Sequence, residues 1–220
     1  RDVLGSRGLG DVYKRQIVKN GGKAIAVACN VLNDADLVNL VDKAVAEYET
    51  VNILVNNAGG GGGGRENPFQ IDIAYFKRVF NLNLFSAWRL CQLVVPHMAE
   101  SGYGSIINIT SMGSINKSPN MSAYASSKAA LNHMAGNLAF DFGPMGVRIN
   151  NVGPGATRTH ALSTVLTPEI EAKMLEHTPI KRLGEVSDIT GAVLYFAAPV
   201  SQWVSGQTLF VNGGGIQTLD

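Results

Sequence analysis

The chain has 220 residues, 45% of them hydrophobic and 16% charged, with a formal net charge of +1. That composition describes one globular domain with a substantial core and excludes a disordered chain. It gives no electrostatic draw toward nucleic acid or an anionic membrane surface, and no apolar run approaches the ~20 residues that span a bilayer.

In chain order, the opening residues 1–20 carry Gly5, Gly8 and Gly10. These read equally well as a phosphate loop, whose backbone amides approach a pyrophosphate at a helix start, or as an arbitrary leader. No apolar segment here marks a secretory signal. Gly21-Gly22 predicts a turn, and the apolar run 24–28 (A-I-A-V-A) a buried parallel strand. Asn33 and Asp34 cap a helix with Leu37, Leu40, Val41, Ala44, Val45 and Tyr48 at helical spacing. Residues 51–55 (V-N-I-L-V) predict the next strand, which runs into Asn56-Asn57-Ala58-Gly59 and the glycines 60–64. Consecutive glycines disfavour any regular element. The run reads as the mobile rim of a site in preference to a linker, because it follows a buried strand, where open α/β sheets bind ligands.

Residues 72–98 predict a long helix with Phe76, Val79, Phe80, Trp88, Leu90 and Val94 on its apolar face. Asn83 within it marks either a kink with a polar network or an exposed position. Residues 105–109 predict a strand that delivers Thr110 and Ser111, 122–142 a helix stopped by Gly143-Pro144, and 147–152 a strand ending in Gly153-Pro154-Gly155. Thr167 followed by Pro168 predicts the start of a short helix; a further helix covers 186–198 and a last strand 208–211. The alternation predicts an α/β fold with a parallel sheet and helices on both faces. Asn57, Gly59, Ser111 and Gly155 then share one edge of that sheet. Cys29 and Cys91 lack metal-ligand spacing and read as free buried thiols in a cytoplasmic setting.

The chemistry converges on Tyr124 and Lys128, one helical turn apart. A phenol with a pKa of about 10 is a reluctant acid and a poor base at neutral pH. A neighbouring ammonium favours its ionised form, and a hydroxyl such as that of Ser111 can hold the oxygen whose proton moves. The Tyr-x-x-x-Lys spacing is loose, and a surface helix also matches it.

Asn56-Asn57-Ala58-Gly59, Asn83 in F-N-L-N-L-F-S, Ser111, Tyr124-x-x-x-Lys128, Pro154-Gly155 with Thr159, and the closing W-V-S-G-Q-T-L-F-V-N-G-G-G together resemble the short-chain dehydrogenase/reductase family over roughly residues 21–220. The resemblance implies a Rossmann-like doubly wound sheet and an NAD(P)-dependent exchange of a secondary alcohol and a ketone by hydride transfer. It implies that Tyr124 is the general acid for reduction and base for oxidation. Lys128 bonds the nicotinamide ribose, Ser111 polarises the carbonyl, and Asn83 completes a water relay. The implied cofactor contacts are Asn30, Val31, Asn57, Ala58, Gly59, Tyr124, Lys128, Pro154, Gly155, Thr157 and Thr159, with no metal. The glycine run, S-P-N-M-S-A-Y-A-S-S-K-A-A and the segment 166–184 resemble bacterial hydroxysteroid-oxidising members, so a bile-acid-type hydroxysteroid is the expected substrate and a 3-oxoacyl thioester the alternative. The resemblance further implies a homotetramer through the two long helices.

The ten residues between Gly10 and Gly21 leave no room for the family's second strand and its helix, and the first strand has only Val3 and Leu4. Residues 1–20 are therefore expected to be an atypical leader before a catalytic domain of 21–220. The chain as written is expected to bind cofactor far more weakly than an N-terminally complete form and to turn over slowly or not at all. A catalytically impaired member that acts as an assembly or binding module is the remaining alternative.

Overall fold

The structure, a computed structural model, describes residues 9–61, 65–163 and 166–215, and the chain divides into two compact units at Val51/Asn52.

Among the described residues the first unit holds two helices. α1 spans Leu9–Lys19 and α2 spans Asp34–Tyr48. Gly10 lies within the first turn of α1, not in a loop; Gly5 and Gly8 lie outside the described residues. The predicted turn is present, with Gly21 at φ 84°, a conformation that glycine adopts without strain. Residues 24–28 form no strand. A parallel strand needs a neighbour for its hydrogen bonds; this unit has none among the described residues, and three of the five residues are alanine, with Ile25 exposed. Asn33 caps α2 as expected, its side chain accepting from Ala35 N and Asp36 N, and the apolar stripe buries Leu37 and Val41. Cys29 is only partly buried.

The second unit is built on four parallel strands in sequential order. They are β1 (Ile53–Asn56), β2 (Gly104–Ile109), β3 (Val147–Pro154) and β4 (Thr208–Val211). α3 (Ile73–Phe80), a π-helical turn (Asn81–Phe85) and α4 (Ser86–Glu100) join β1 to β2. α5 (Ser122–Phe142) joins β2 to β3, and α6 (His160–Ser163), α7 (Pro168–Leu175) and α8 (Val186–Ala197) lie between β3 and β4. α8 covers one face of the sheet: Ile107 and Val152 pack with its Ala192 and Phe196, and Ser105 Oγ donates to Phe196 O at 2.8 Å. The alternate residues turn to the other face. Gly104 lies against Met98 of α4, and Asn151 Nδ2 reaches Asn132 O on α5. Helices thus lie on both faces, as the alternation predicted. Cys91 of α4 is fully buried, and burial pushes its thiol up to about 12. Among the described residues no helix is long and apolar enough to cross a membrane.

Two features differ from a plain reading of the pattern. The long helix is broken in the middle: the π-helical turn inserts one extra residue per bond, with Ser86 N donating to Asn81 O. Trp88 lies off the apolar face and is 43% exposed, because within α4 it stands nearly opposite the buried Leu90. Buried amides also cross the sheet. Asn56, Asn108, Asn151 and Thr208 are register partners. Asn56 Nδ2 donates to Asn108 Oδ1 (2.8 Å), Asn108 Nδ2 to Asn151 Oδ1 (3.0 Å) and Asn151 Nδ2 to Thr208 Oγ1 (3.0 Å).

Candidate active site

Because the strands are parallel, the ends of β1, β2, β3 and β4 meet at one edge of the sheet, where open α/β sheets bind ligands. β2 runs on through Thr110, whose N–H donates to Val152 O at 2.7 Å, and delivers Ser111. Ser111 caps a short 3-10 turn, Met112–Ser114, by accepting from Gly113 N at 3.0 Å. Ser114 Oγ donates to Ser111 O at 2.6 Å, and Asn132 Nδ2 donates to Ser114 Oγ at 2.7 Å. Asn132 lies on α5 one turn beyond Lys128, so the helix that carries the tyrosine and lysine also braces the serine.

Tyr124 stands in the first turn of α5, beside Ser111. Gly113 sits between them: a β-carbon there would lie 3.3 Å from Ser111 Oγ and 3.6 Å from the Tyr124 ring. Lys128 is 4% exposed, and its Nζ donates to Ile109 O at 2.8 Å. Burial, which disfavours the charged form, pushes its ammonium down to about 8, so it is still mostly protonated at neutral pH.

Asn83 is buried (1% exposed), which decides between the two readings its place in the helix allowed. Its Oδ1 accepts from Gly60 N at 2.8 Å, and its Nδ2 donates to Gly60 O and Ser127 Oγ, both at 2.9 Å. Ser127 Oγ in turn donates to Tyr124 O at 2.7 Å. An asparagine in a helix interior is unfavourable on propensity alone; here the π-helical turn presents it to three partners. Gly60 is therefore anchored on both its N–H and C=O, which is not how a linker behaves. Positions 62–64 of the glycine run lie outside the described residues.

Asn57 and Ala58 are exposed just past β1, with Asn57 N donating to Val55 O. Gly59 follows, close against the site: a β-carbon there would fall 2.9 Å from Lys128 Nζ and 3.0 Å from Asn83 Oδ1. On the far side, Gly155 N donates to Val211 O at 2.9 Å, and Thr157 Oγ1 donates to Gly155 O at 3.1 Å. Thr159 accepts from Leu162 N at the start of α6. Asn212, just past β4, links this rim to the serine turn through Nδ2 and Met112 Sδ (3.0 Å). The structure thus brings Asn57, Ala58, Gly59, Asn83, Ser111, Tyr124, Lys128, Pro154, Gly155, Thr157 and Thr159 to one edge. Asn30 and Val31 belong to the first unit, where Asn30 Oδ1 accepts from Leu32 N and the Asn30 N–H donates to Asp36 Oδ2 ahead of α2.

The donor set fits a nucleotide cofactor. A lysine ammonium has three N–H donors, one of which is used on Ile109, and Gly59 keeps the space beside it free of a side chain. Sequence reasoning missed Ser114, Ser127, Asn132 and Asn212, which hold the others, and Glu66. The available signal for Ser127 and Asn132 was helical spacing, since both lie three or four residues from Tyr124 or Lys128. Glu66 reaches α5 across 57 residues of chain and leaves no local pattern.

A family model described as enoyl-(acyl carrier protein) reductase matches residues 10–215, a span that takes in α1. The 7alpha-hydroxysteroid dehydrogenase of Escherichia coli is 49% identical over 205 residues, covering 93% of this chain and 79% of its own length. That of Clostridium sardiniense is 34% identical over 199 residues, covering 90% and 76%. A solved structure of a 7 alpha-hydroxysteroid dehydrogenase complexed with NADH and 7-oxo glycochenodeoxycholic acid matches at a TM-score of 0.90 and 47% identity, covering 96% of this chain and 82% of that one.

Proposed function

Since the chain belongs to the short-chain dehydrogenase/reductase family of oxidoreductases, we propose that it interconverts a 7α-hydroxy and a 7-oxo bile-acid-type steroid with NAD or NADP. The observation that carries this reading is the convergence at one sheet edge of Ser111, Tyr124, Lys128 and Asn83 against the backbone of Gly59. The bound nicotinamide supplies or accepts the hydride. The Tyr124 hydroxyl gives its proton to the ketone oxygen in reduction and takes it from the alcohol in oxidation. Ser111 Oγ, fixed at the cap of its turn, donates to the same oxygen and polarises the carbonyl. Lys128 would hold the ribose hydroxyls of the cofactor with its remaining N–H groups. Asn83 sets Gly60 and Ser127, and with them the spacing between cofactor rim and catalytic helix.

Asn30 and Val31 are assigned to the adenine side, and residues 21–220 to the catalytic domain. The protein is assigned to the cytoplasm and to a homotetramer. Support for assembly comes from exposed aromatic side chains on the helices expected to pair, Phe140 of α5 (85% exposed) and Trp88 of α4; sedimentation as a clean monomer at micromolar concentration removes the tetramer.

The test is fluorescence titration with NADH and NADPH, followed by turnover assays on 7-oxo bile acids and 3-oxoacyl thioesters. The expected result is reduction of the steroid, with Tyr124→Phe losing turnover while cofactor affinity stays near normal. More than a few per cent of activity left in Tyr124→Phe removes the residue from its role, and a preference for the thioester overturns the substrate. The same titration reads the weak binding expected from the short stretch between Gly10 and Gly21.

A further inference from the structure

We infer that Glu66 is a positioning residue for Tyr124, capping α5 from a distant part of the chain; the inference rests on the reading of Tyr124 as the acid/base group. The first amides of a helix have no acceptor within it, and a Ser, Thr, Asp or Asn at the cap position ordinarily supplies one. α5 has Met121 at that position, with an irregular backbone (φ −136°, ψ 21°) and no capping side chain. The missing acceptor comes from Glu66. Its Oε2 accepts from Ala123 N at 2.7 Å and Tyr124 N at 3.1 Å; its Oε1 accepts from Tyr124 N at 3.2 Å and from the Tyr75 hydroxyl at 3.3 Å. Glu66 N also donates to Asn120 O at 3.0 Å. The residue is fully buried. A carboxylate at a helix N-terminus is favoured by the helix dipole and makes charge-assisted bonds.

The placement matters because Tyr124 is held at both ends of its own backbone. Its N–H goes to Glu66, and its C=O accepts from Ser127 Oγ, which is bonded to Asn83. Glu66 and Asn83 also bracket the glycine-rich rim. Asn83 binds Gly60 through both backbone groups, and Gly61 lies beside Glu66, where a β-carbon would fall 3.6 Å from Oε1. Asn83 holds the rim by hydrogen bonds and Glu66 lies beside it, so loss of the Glu66 carboxylate is read first at Tyr124.

The experiment compares Glu66→Ala and Glu66→Gln in the full chain. The glutamine keeps one oxygen that can accept from Ala123 and Tyr124 and loses the charge and the second acceptor. Misplacing a reacting group by about 1 Å costs roughly 100-fold, so Glu66→Ala is expected to lower kcat about 10- to 100-fold while the KM for cofactor stays within about twofold. Glu66→Gln is expected to recover at least about a tenth of the wild-type rate. In amide hydrogen exchange, Ala123 and Tyr124 should exchange at least about tenfold faster in Glu66→Ala, with later turns of α5 unchanged. A folded Glu66→Ala with wild-type kcat overturns the proposal, as does an equal loss of rate and cofactor affinity that glutamine does not relieve. Unchanged exchange at Ala123 and Tyr124 overturns the cap itself. If the wild-type chain binds cofactor and still turns over no secondary alcohol, the reading of Tyr124 fails and this inference with it, while the exchange result still decides whether Glu66 caps α5. If Glu66→Ala does not fold, Glu66→Gln carries the test: a kcat down about threefold or more at unchanged cofactor affinity supports positioning, and a wild-type kcat refutes it.

Discussion

Asn83→Asp changes the chemistry of one side-chain atom and almost none of its volume. In the native chain the amide nitrogen faces Gly60 O and Ser127 Oγ at 2.9 Å each, and the amide oxygen faces Gly60 N at 2.8 Å. A carboxylate keeps the last contact and inverts the contact with Gly60 O, placing oxygen against carbonyl oxygen at a position 1% exposed. Ser127 cannot relieve it without cost, because its hydroxyl proton is already on Tyr124 O. A buried acceptor left without its donor costs about 1–3 kcal/mol, and burying or neutralising the new charge adds to that. The expected destabilisation at pH 7.5 is about 2–4 kcal/mol. The sign of its pH dependence follows from linkage. Burial raises the folded pKa of the introduced carboxyl above its ordinary value of about 3.9. The penalty is full above the raised value and fades as pH falls through it. Urea denaturation followed by far-ultraviolet circular dichroism at pH 7.5 and 5.5 reads both quantities: the midpoint falls, the slope is unchanged, and the gap to wild type narrows at pH 5.5. A variant within about 0.5 kcal/mol of wild type at pH 7.5, or a gap that widens on acidification, refutes the reasoning.

Gly155→Ala would place its β-carbon 2.8 Å from Asn212 Cα and 2.9 Å from Asn212 Cβ, so the backbone of Asn212 must shift. The overpacking is expected to cost about 1–3 kcal/mol and, through Asn212 and Met112, to disturb the Ser111 turn. A Tm drop together with a clear loss of kcat is expected, and unchanged values for both would show that the rim gives freely. Lys128→Met tests the burial of charge. A fall from 10.5 to about 8 is worth roughly 3 kcal/mol against folding. That cost is fully present below pH 8 and is relieved as the pH rises toward the unfolded value, because the folded state there binds fewer protons than the unfolded one. Removing the ammonium also deprives Ile109 O of that donor, a cost of about 1–3 kcal/mol that offsets most of the gain, so the cofactor-free variant is expected to stay within about 2 kcal/mol of wild type at pH 7 while losing turnover; a Tm far below wild type at pH 7 contradicts this.

Much of the second unit was legible because its signals are local. α5 begins and ends where Ser122 and Gly143-Pro144 mark it, β4 covers 208–211 as its apolar run predicts, and Thr167-Pro168 starts α7. The strand expected at 24–28 failed because apolar character describes burial, whereas a strand also requires a partner. The break at Asn81–Phe85 was hidden because a π-helical turn keeps helical composition. α1 went unread because glycines in its opening stretch favoured a loop or leader. Within the site, Asn83, Ser111, Tyr124 and Lys128 were visible as residue types at telling positions. Glu66, Ser127 and Asn212 were not, since each acts through a contact made only after the chain has folded.

The amides that cross the sheet have a consequence for how this sequence can change. The bonds all run in the same direction, nitrogen to oxygen from β1 to β4, and at the head of the row Asn56 Oδ1 finds no donor among the described residues. Bonds aligned in this way polarise one another. Turning a single amide sets donor against donor on one side and acceptor against acceptor on the other. Replacing Asn108 alone by leucine strands both neighbours, whereas leucine or valine at Asn56, Asn108 and Asn151 together removes the mutually dependent amides and takes a donor only from Thr208 Oγ1 and Asn132 O at the far end. The three positions therefore act as one energetic unit, in which a change at the middle position costs more than its own bonds.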